Sequence, residues 1–312
     1  GSGPRRPART RSNKRATVLL VSLLAAVAAP FAASAAAETT FRDIKVEVVG
    51  NGVPVLMVPG LNSNADTWRD TCQALQPQVQ CHMVSLPGFA GRPAAEGEGE
   101  GDAFLVPMRD RLLAYIAERK LQKPAVMGHS LGGVLALQMA LAQPQAVGKL
   151  VIVDSLPYFG AVQNPAATVD SVRPMAEQMR AAMLAQPEAT YLAQAEASAK
   201  GLVRDPSRWD TLKTWSQTSA RTATTAALYD MMTTDLRGDV AAITSPTLVL
   251  GSWAAYQPMG STMESTRAIF AAQYAKLPGV DIRMSEAGYH FLTWDDPQWV
   301  QAQVRQFLEL TP

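Results

Sequence analysis

Histidine and cysteine are scarce in this chain: three and two residues among 312. Neither recurs at the spacing that ligates a metal, which argues against a metal centre. No glycine-rich phosphate cradle is present, and no basic cluster in the body of the chain marks an anionic substrate. The sequence thus implies neither metal nor cofactor. A third absence is local. After the apolar run 247–250 the chain reads Ser252, Trp253, Ala254, Ala255, Tyr256, Gln257, with no acid before Glu264.

Basic charge is unevenly placed. Six of the 28 basic residues are Arg5, Arg6, Arg9, Arg11, Lys14 and Arg15, ahead of the first acid, Glu38. The rest of the chain holds 22 basic and 27 acidic residues, a net charge of −5, which argues against nucleic acid as a partner. Gly1-Ser2-Gly3 stands where an initiator Met belongs and reads as a cloning remnant. The basic segment, the apolar run 16–33 and the small residues Ala33-Ser34-Ala35 and Ala35-Ala36-Ala37 together describe a secretory signal peptide over 1–37. As a membrane anchor the run is short and is interrupted by Pro30, so cleavage without lasting membrane insertion is expected. Arg5-Arg6 lacks the context of a twin-arginine signal. The expected location is periplasmic or secreted.

In an exported chain the close pair Cys72 and Cys81 predicts a disulfide, with two buried free thiols as the plainer alternative. The remaining residues suffice for one large α/β domain. Apolar runs at 53–60, 81–88, 124–130, 149–155, 246–252 and 279–286 read as strands. Most are apolar on both faces, as in a parallel sheet covered by helices. Segments near 64–75, 103–120, 132–142, 262–276 and 297–309 read as helices, the last with Asp295-Asp296 as its cap and Pro297 in its first turn. An opening hairpin is expected to turn at Asn51-Gly52. The alternation predicts a doubly wound, mostly parallel sheet over 38–156 and 237–312. Residues 157–236 contain no strand-like run. They read as an inserted helical cap punctuated by Pro174, Pro187 and Pro206, with Val172, Met175, Met179 and Met183 on one helix face. The Gly/Glu tract 94–104 reads as a solvated loop.

Gly128-His129-Ser130-Leu131-Gly132 matches G-x-S-x-G between a predicted strand and a predicted helix. A strand turning sharply into a helix lifts Ser130 off the sheet edge at the helix's positive end. With "VPGLNSNADTW" (58–68), "SLPGFAG" (85–91) and "AGYHFLTWDDP" (287–297), the chain resembles the α/β-hydrolase family over nearly its whole length past the leader. The resemblance implies Ser130 as nucleophile and the backbone N–H groups of Leu61 and Leu131 as an oxyanion hole. Pro59 stands where the family's usual oxyanion motif has His.

A serine nucleophile needs a base. His129 lies within the elbow and points away from Ser130; His82 lies early in a strand. His290, beyond the last strand with Gly288 to bend the loop, takes the family's position. The acid is open. The loop after 250 lacks it, and Asp154, ending the strand after the nucleophile strand, is the first choice, as in some hydrolases of this fold. Glu264, Asp230, Asp235 or no acid at all are the alternatives, and a turn-capping role is the plainer one for Asp154.

A serine at the elbow disfavours the dehalogenases and epoxide hydrolases of this fold, which use aspartate there. Hydrolysis of a carboxylic ester or related acyl bond of an apolar small molecule is the expected activity. The other readings are cofactor-free perhydrolase, haloperoxidase or lyase chemistry, or a non-catalytic binder of the same fold. Met175, Met179, Met183, Met231, Met232, Tyr158, Phe159, Trp209 and Trp215 of the cap supply apolar surface. Tyr158 and Met179, with Trp253 and Tyr256 from the acid-free loop, are the expected pocket residues.

Overall fold

The computed structural model describes residues 37–95 and 103–311. The expected signal peptide, apart from its last residue, and the middle of the Gly/Glu tract lie outside the described residues. Eight strands form one sheet: β1 (Ala37–Phe41), β2 (Ile44–Val49), β3 (Val53–Val58), β4 (Val79–Ser85), β5 (Ala125–His129), β6 (Leu150–Val153), β7 (Thr247–Gly251) and β8 (Asp281–Met284), in the order β1-β2-β4-β3-β5-β6-β7-β8. β4 and β3 run parallel, as do all neighbours from β3 to β8; β1 and β2 are antiparallel additions. The expected doubly wound sheet is present.

The expected hairpin at Asn51-Gly52 is not. β2 pairs with β4, which separates it from β3. Side-chain pattern explains the choice. β3 buries four consecutive residues and needs a covered interior place, whereas β2 alternates buried and half-buried residues and suits the outside. The hairpin lies one strand earlier, between β1 and β2, where Arg42 and Asp43 have φ of 47° and 70°. Two positive φ values suit a tight two-residue turn, but Arg-Asp is not the usual composition for one.

Helices α1 (Asp66–Ala74), α2 (Leu105–Glu118), α3 (Leu131–Ala142), α8 (Met263–Gln273), the short α9 (Leu292–Asp295) and α10 (Pro297–Phe307) flank the sheet. Strand residues alternate between two cores. Leu56, Val58, Val126, Ile152 and Val249 meet α2, α3 and α8, while Val55, Met57, Val151, Val153 and Leu250 meet α1 and α10. Cys72 on α1 and Cys81 on β4 are bonded, with Cα atoms 6.0 Å apart, and close a short loop that contributes roughly 2.5–3 kcal/mol in the chain-entropy model.

Between β6 and β7 lie four cap helices, α4 (Val169–Ala185), α5 (Glu188–Leu202), α6 (Trp209–Thr218) and α7 (Arg221–Thr233). Thr168 and Ser171 form a reciprocal capping box that starts α4. Pro187 and Pro206 do mark element starts, but Pro174 sits inside α4 and does not end it. The buried face of α4 is Val172 and Ala176; Met175 is exposed, so the expected Met stripe is not the packing face. Asp296 occupies the N-cap position of α10 and Pro297 its first turn, but the Asp296 carboxylate accepts from Ser285 Oγ rather than capping the helix.

His82 is a core residue. It is buried in β4, with Nδ1 2.6 Å from Tyr115 Oη and Nε2 2.8 Å from Gln80 Oε1. Burial, with Arg119 adding to it, lowers its pKa to about 4. The folded pKa lies below the unfolded one, so between these values the unfolded chain holds a proton that the folded chain lacks. Stability from this group is complete above about pH 6.5 and falls by on the order of 3 kcal/mol as pH drops toward 4. Urea midpoints measured across that window should show this decline, and His82→Asn should flatten it. An equally steep decline in the variant would assign the effect to other groups.

Candidate active site

The turn from β5 into α3 places Ser130. Its φ of 55° and ψ of −119° lie outside the regions that non-glycine residues favour. Such strain persists only where the surroundings over-determine it. Here the glycines on either side let chains pass in near contact. A Cβ on Gly128 would lie 2.1 Å from the Gly132 carbonyl oxygen, and one on Gly132 would lie 2.4 Å from that of Val58. Ser130 N–H donates to Val153 O at 3.0 Å, tying the elbow to the end of β6. Leu131 is the first residue of α3, where a helix leaves backbone N–H groups without intrahelical acceptors.

Asp154 follows the end of β6. Like Ser130 it has a positive φ, 47°, a conformation that Asp tolerates better than most residues. Its N–H donates to Leu250 O at 2.7 Å, so β7 fixes where the side chain emerges. His290 Nδ1 lies 2.6 Å from Asp154 Oδ2. A carboxylate oxygen only accepts, so Nδ1 carries the hydrogen and Nε2 is left as the basic nitrogen.

The acid-free loop contributes to this pair in another way. Ser252 donates its N–H to Asp154 Oδ1 and its hydroxyl to Oδ2, both at 2.8 Å. The loop after β7 thus holds a carboxylate that arrives from β6. Sequence reasoning passed over Ser252; its position directly after a buried strand was the available signal. The other acids are engaged elsewhere. Asp230 Oδ2 accepts from the N–H groups of Phe104 (2.5 Å) and Leu105 (2.9 Å) at the start of α2. Asp235 pairs with Arg237 at 2.8 Å, and Glu264 lies exposed in the first turn of α8.

His129 lines the same cavity as Ser130 and packs against His290, ring centroids 4.5 Å apart. Its Nε2 lies 2.8 Å from His290 O and must donate to that carbonyl. Burial and then the neighbouring His290 hold its pKa well below the usual 6.5. A neutral imidazole therefore supports the backbone of His290.

Ser130 and His290 line one cavity of about 110 Å³ with Gly60, Leu61, Asn62, Ser63, Leu202 and Leu212, closed further by Trp215, Ser216 and Phe291. The loop 60–63 lacks the side-chain support a His at 59 would bring. It is held instead by Ser63 Oγ donating to Leu61 O (3.0 Å) and by Thr224 of α7 donating to Asn62 Oδ1 (2.6 Å). Leu61 lines the cavity beside Ser130.

The expected pocket residues are not among these walls. Tyr158 is fully buried under the cap and donates its hydroxyl to Met232 O. Met179 is half-buried on α4, Trp253 packs on the sheet core, and Tyr256 is 57% exposed. Composition identified apolar side chains but not their direction. Of the nine apolar cap residues, Trp215 alone lines the cavity.

The Alpha/beta hydrolase family model matches residues 55–303. Among curated proteins, a pimeloyl-[acyl-carrier protein] methyl ester esterase of Aeromonas salmonicida is 29% identical over 209 residues, covering 66% of this chain and 78% of that protein. A protein of the same description from Vibrio campbellii is 36% identical over 116 residues, 36% of this chain and 41% of its own length. Among solved structures, an esterase from Exiguobacterium antarcticum is similar with a TM-score of 0.67 at 18% identity, covering 86% of this chain and 99% of that one, a likeness of fold. With the family's pattern running from β3 to α10, this chain belongs to the α/β hydrolase family.

Proposed function

We propose that this protein is an exported serine esterase that cleaves short-chain carboxylic esters through an acyl-enzyme. The observation that carries the reading is the His290–Asp154 bond beside Ser130 in a single apolar cavity. Ser130 Oγ attacks the ester carbonyl as His290 Nε2 takes its proton. Asp154 holds the imidazole in the tautomer that leaves Nε2 free, and stabilises the imidazolium. The N–H groups of Leu61 and Leu131 receive the oxyanion. His290 then protonates the departing alcohol, and a water activated by the same nitrogen releases the acid. Similarity to a carboxylic ester esterase supports the bond type. The leader and the Cys72–Cys81 bond support export, since disulfides persist in oxidising compartments.

Cavity size supports the chain length. A closed apolar cavity of 150 Å³ holds benzene, so about 110 Å³ accommodates about four non-hydrogen atoms of an acyl group. Leu202, Leu212 and Trp215 of the cap form the wall that limits it. Across p-nitrophenyl acetate to octanoate, kcat/KM should be highest at acetate to butyrate and lower by at least about tenfold at octanoate, a difference of about 1.4 kcal/mol. Leu212→Ala should narrow that ratio, and because Leu212 is buried in the cap it should also lower the melting temperature, so the ratio is to be read at a temperature where the variant is folded. Equal rates for butyrate and octanoate would place the acyl group elsewhere, and no hydrolysis of any ester would refute the esterase.

A further inference from the structure

We propose that Asp295 is a positioning residue that joins the cap to the backbone carrying His290, so that the cap takes part in aligning the base as well as enclosing the substrate. The proposal rests on His290 acting as the base. It starts from where the backbone groups around that residue are bonded. His290 O accepts from His129 Nε2 (2.8 Å) and from Leu292 N–H (3.0 Å). The N–H of Phe291, one residue on, donates to Leu202 O at the end of cap helix α5, at 3.0 Å. The N–H of Tyr289, one residue before, donates to Asp295 Oδ2 at 2.9 Å.

The same carboxylate reaches into the cap. Asp295 Oδ2 also accepts from Arg204 N–H at 2.7 Å, and Oδ1 accepts from Asp205 N–H at 3.1 Å. Asp295 closes α9, and a carboxylate at the last residue of a helix gains nothing from the helix dipole. Its three backbone donors account for its presence there: one precedes His290, and two lie two and three residues past the end of α5. The Arg204 guanidinium adds a bond to Ala287 O at 3.0 Å in the same loop. Packing runs parallel to these bonds. Phe291 stacks on Trp294 with centroids 4.7 Å apart, and Trp215 of α6 lies 5.4 Å from Trp294. Leu202 and Trp215 are also cavity walls. One network therefore holds both the substrate wall and the segment that carries the imidazole.

An amide in place of the carboxylate keeps one acceptor oxygen. Placed at Oδ2 it holds Tyr289 and Arg204 and sets its NH₂ against Asp205 N–H; placed at Oδ1 it holds Asp205 and sets its NH₂ against the other two. Either orientation puts donor against donor and displaces the junction. Asp295→Asn should lower kcat, counted per active site titrated with a phosphonate, by about 10- to 100-fold, the loss that misplacement of a catalytic group by an ångström or less produces, with KM within about threefold of wild type. In an Asp154→Asn background, where His290 is already misdirected, the same change should cost less than about threefold more, because residues that act as a unit are not additive. A merely structural role would lower the titratable fraction and leave kcat per site intact. Wild-type kcat per site in Asp295→Asn, or an equal loss in both backgrounds, overturns the proposal. If Asp295→Asn yields no folded protein, Arg204→Ala decides: kcat per site lowered about three- to tenfold supports the coupling, and wild-type kcat overturns it. The wild-type control separates the two readings. Absence of phosphonate label on Ser130 refutes the esterase, whereas full per-site turnover in the variants refutes the coupling alone.

Discussion

Asp154→Asn is expected to lower kcat by about 10³- to 10⁴-fold while the protein stays folded. The fold should survive because the position needs a positive φ, which Asn adopts readily, and because Ser252 still finds an acceptor. The chemistry should not survive. With the amide oxygen held by Ser252 N–H, the NH₂ group takes the place of Oδ2 and points at His290 Nδ1. Nδ1 then has to accept, the hydrogen moves to Nε2, and the nitrogen facing the nucleophile is no longer basic. The amide also lacks the charge that stabilises the imidazolium. Glu264→Gln and Asp235→Asn should keep wild-type kcat. Asp230→Asn should lower stability by roughly 1 kcal/mol through a poorer start to α2, and leave kcat unchanged. Steady-state kinetics beside thermal melts make the check. Near-wild-type kcat in Asp154→Asn with collapse in one of the others would move the acid; full activity in all four would describe a Ser–His dyad.

Ser130→Ala and His290→Ala should each cost roughly 10⁵- to 10⁶-fold in kcat, and the double variant little more than either. Both residues serve one proton transfer, so the first loss leaves the second residue nothing to assist. What remains is catalysis by the backbone donors of Leu61 and Leu131 and by the cavity itself. An organophosphonate should add one adduct to the wild-type mass and none to Ser130→Ala. Persistent labelling of that variant, or single losses that multiply in the double variant, would show that the two residues do not work together.

The amino-acid order is informative where the physics is local. Parallel strands buried on both faces must be apolar along their length, so 124–130 and 246–252 announce themselves, with ends within a residue or two of β5 and β7. The elbow is legible for the same reason. Gly128 and Gly132 flank a serine whose backbone conformation depends on close approaches that any side chain would block. His290 was singled out by elimination among three histidines together with the position that the family resemblance implies, and the Cys72–Cys81 pairing by a short separation.

Non-local features were not legible in this way. Asn51-Gly52 reads as a hairpin turn, yet β4 takes the place beside β3, because strand order depends on which faces the crossover helices must cover. Ser252 is one serine among many until β6 and β7 come into register and bring it to Asp154, 98 residues earlier in the chain. The cap's helices could be anticipated from composition. Which of their side chains face Ser130 depends on how four helices rotate against one another, and that selected Leu202, Leu212 and Trp215 over Tyr158 and Met179. Asp295 shows the same division. Its sequence position suggests a helix cap, but its partners at Tyr289, Arg204 and Asp205 belong to two segments that meet only in the folded chain. The sequence by itself determined strands β2 to β8, the elbow and the candidate catalytic residues, because these rest on burial and backbone geometry within a few residues. Only the tertiary structure decided strand order, the carboxylate's partners and the cavity walls, because each depends on distances between residues far apart in the chain.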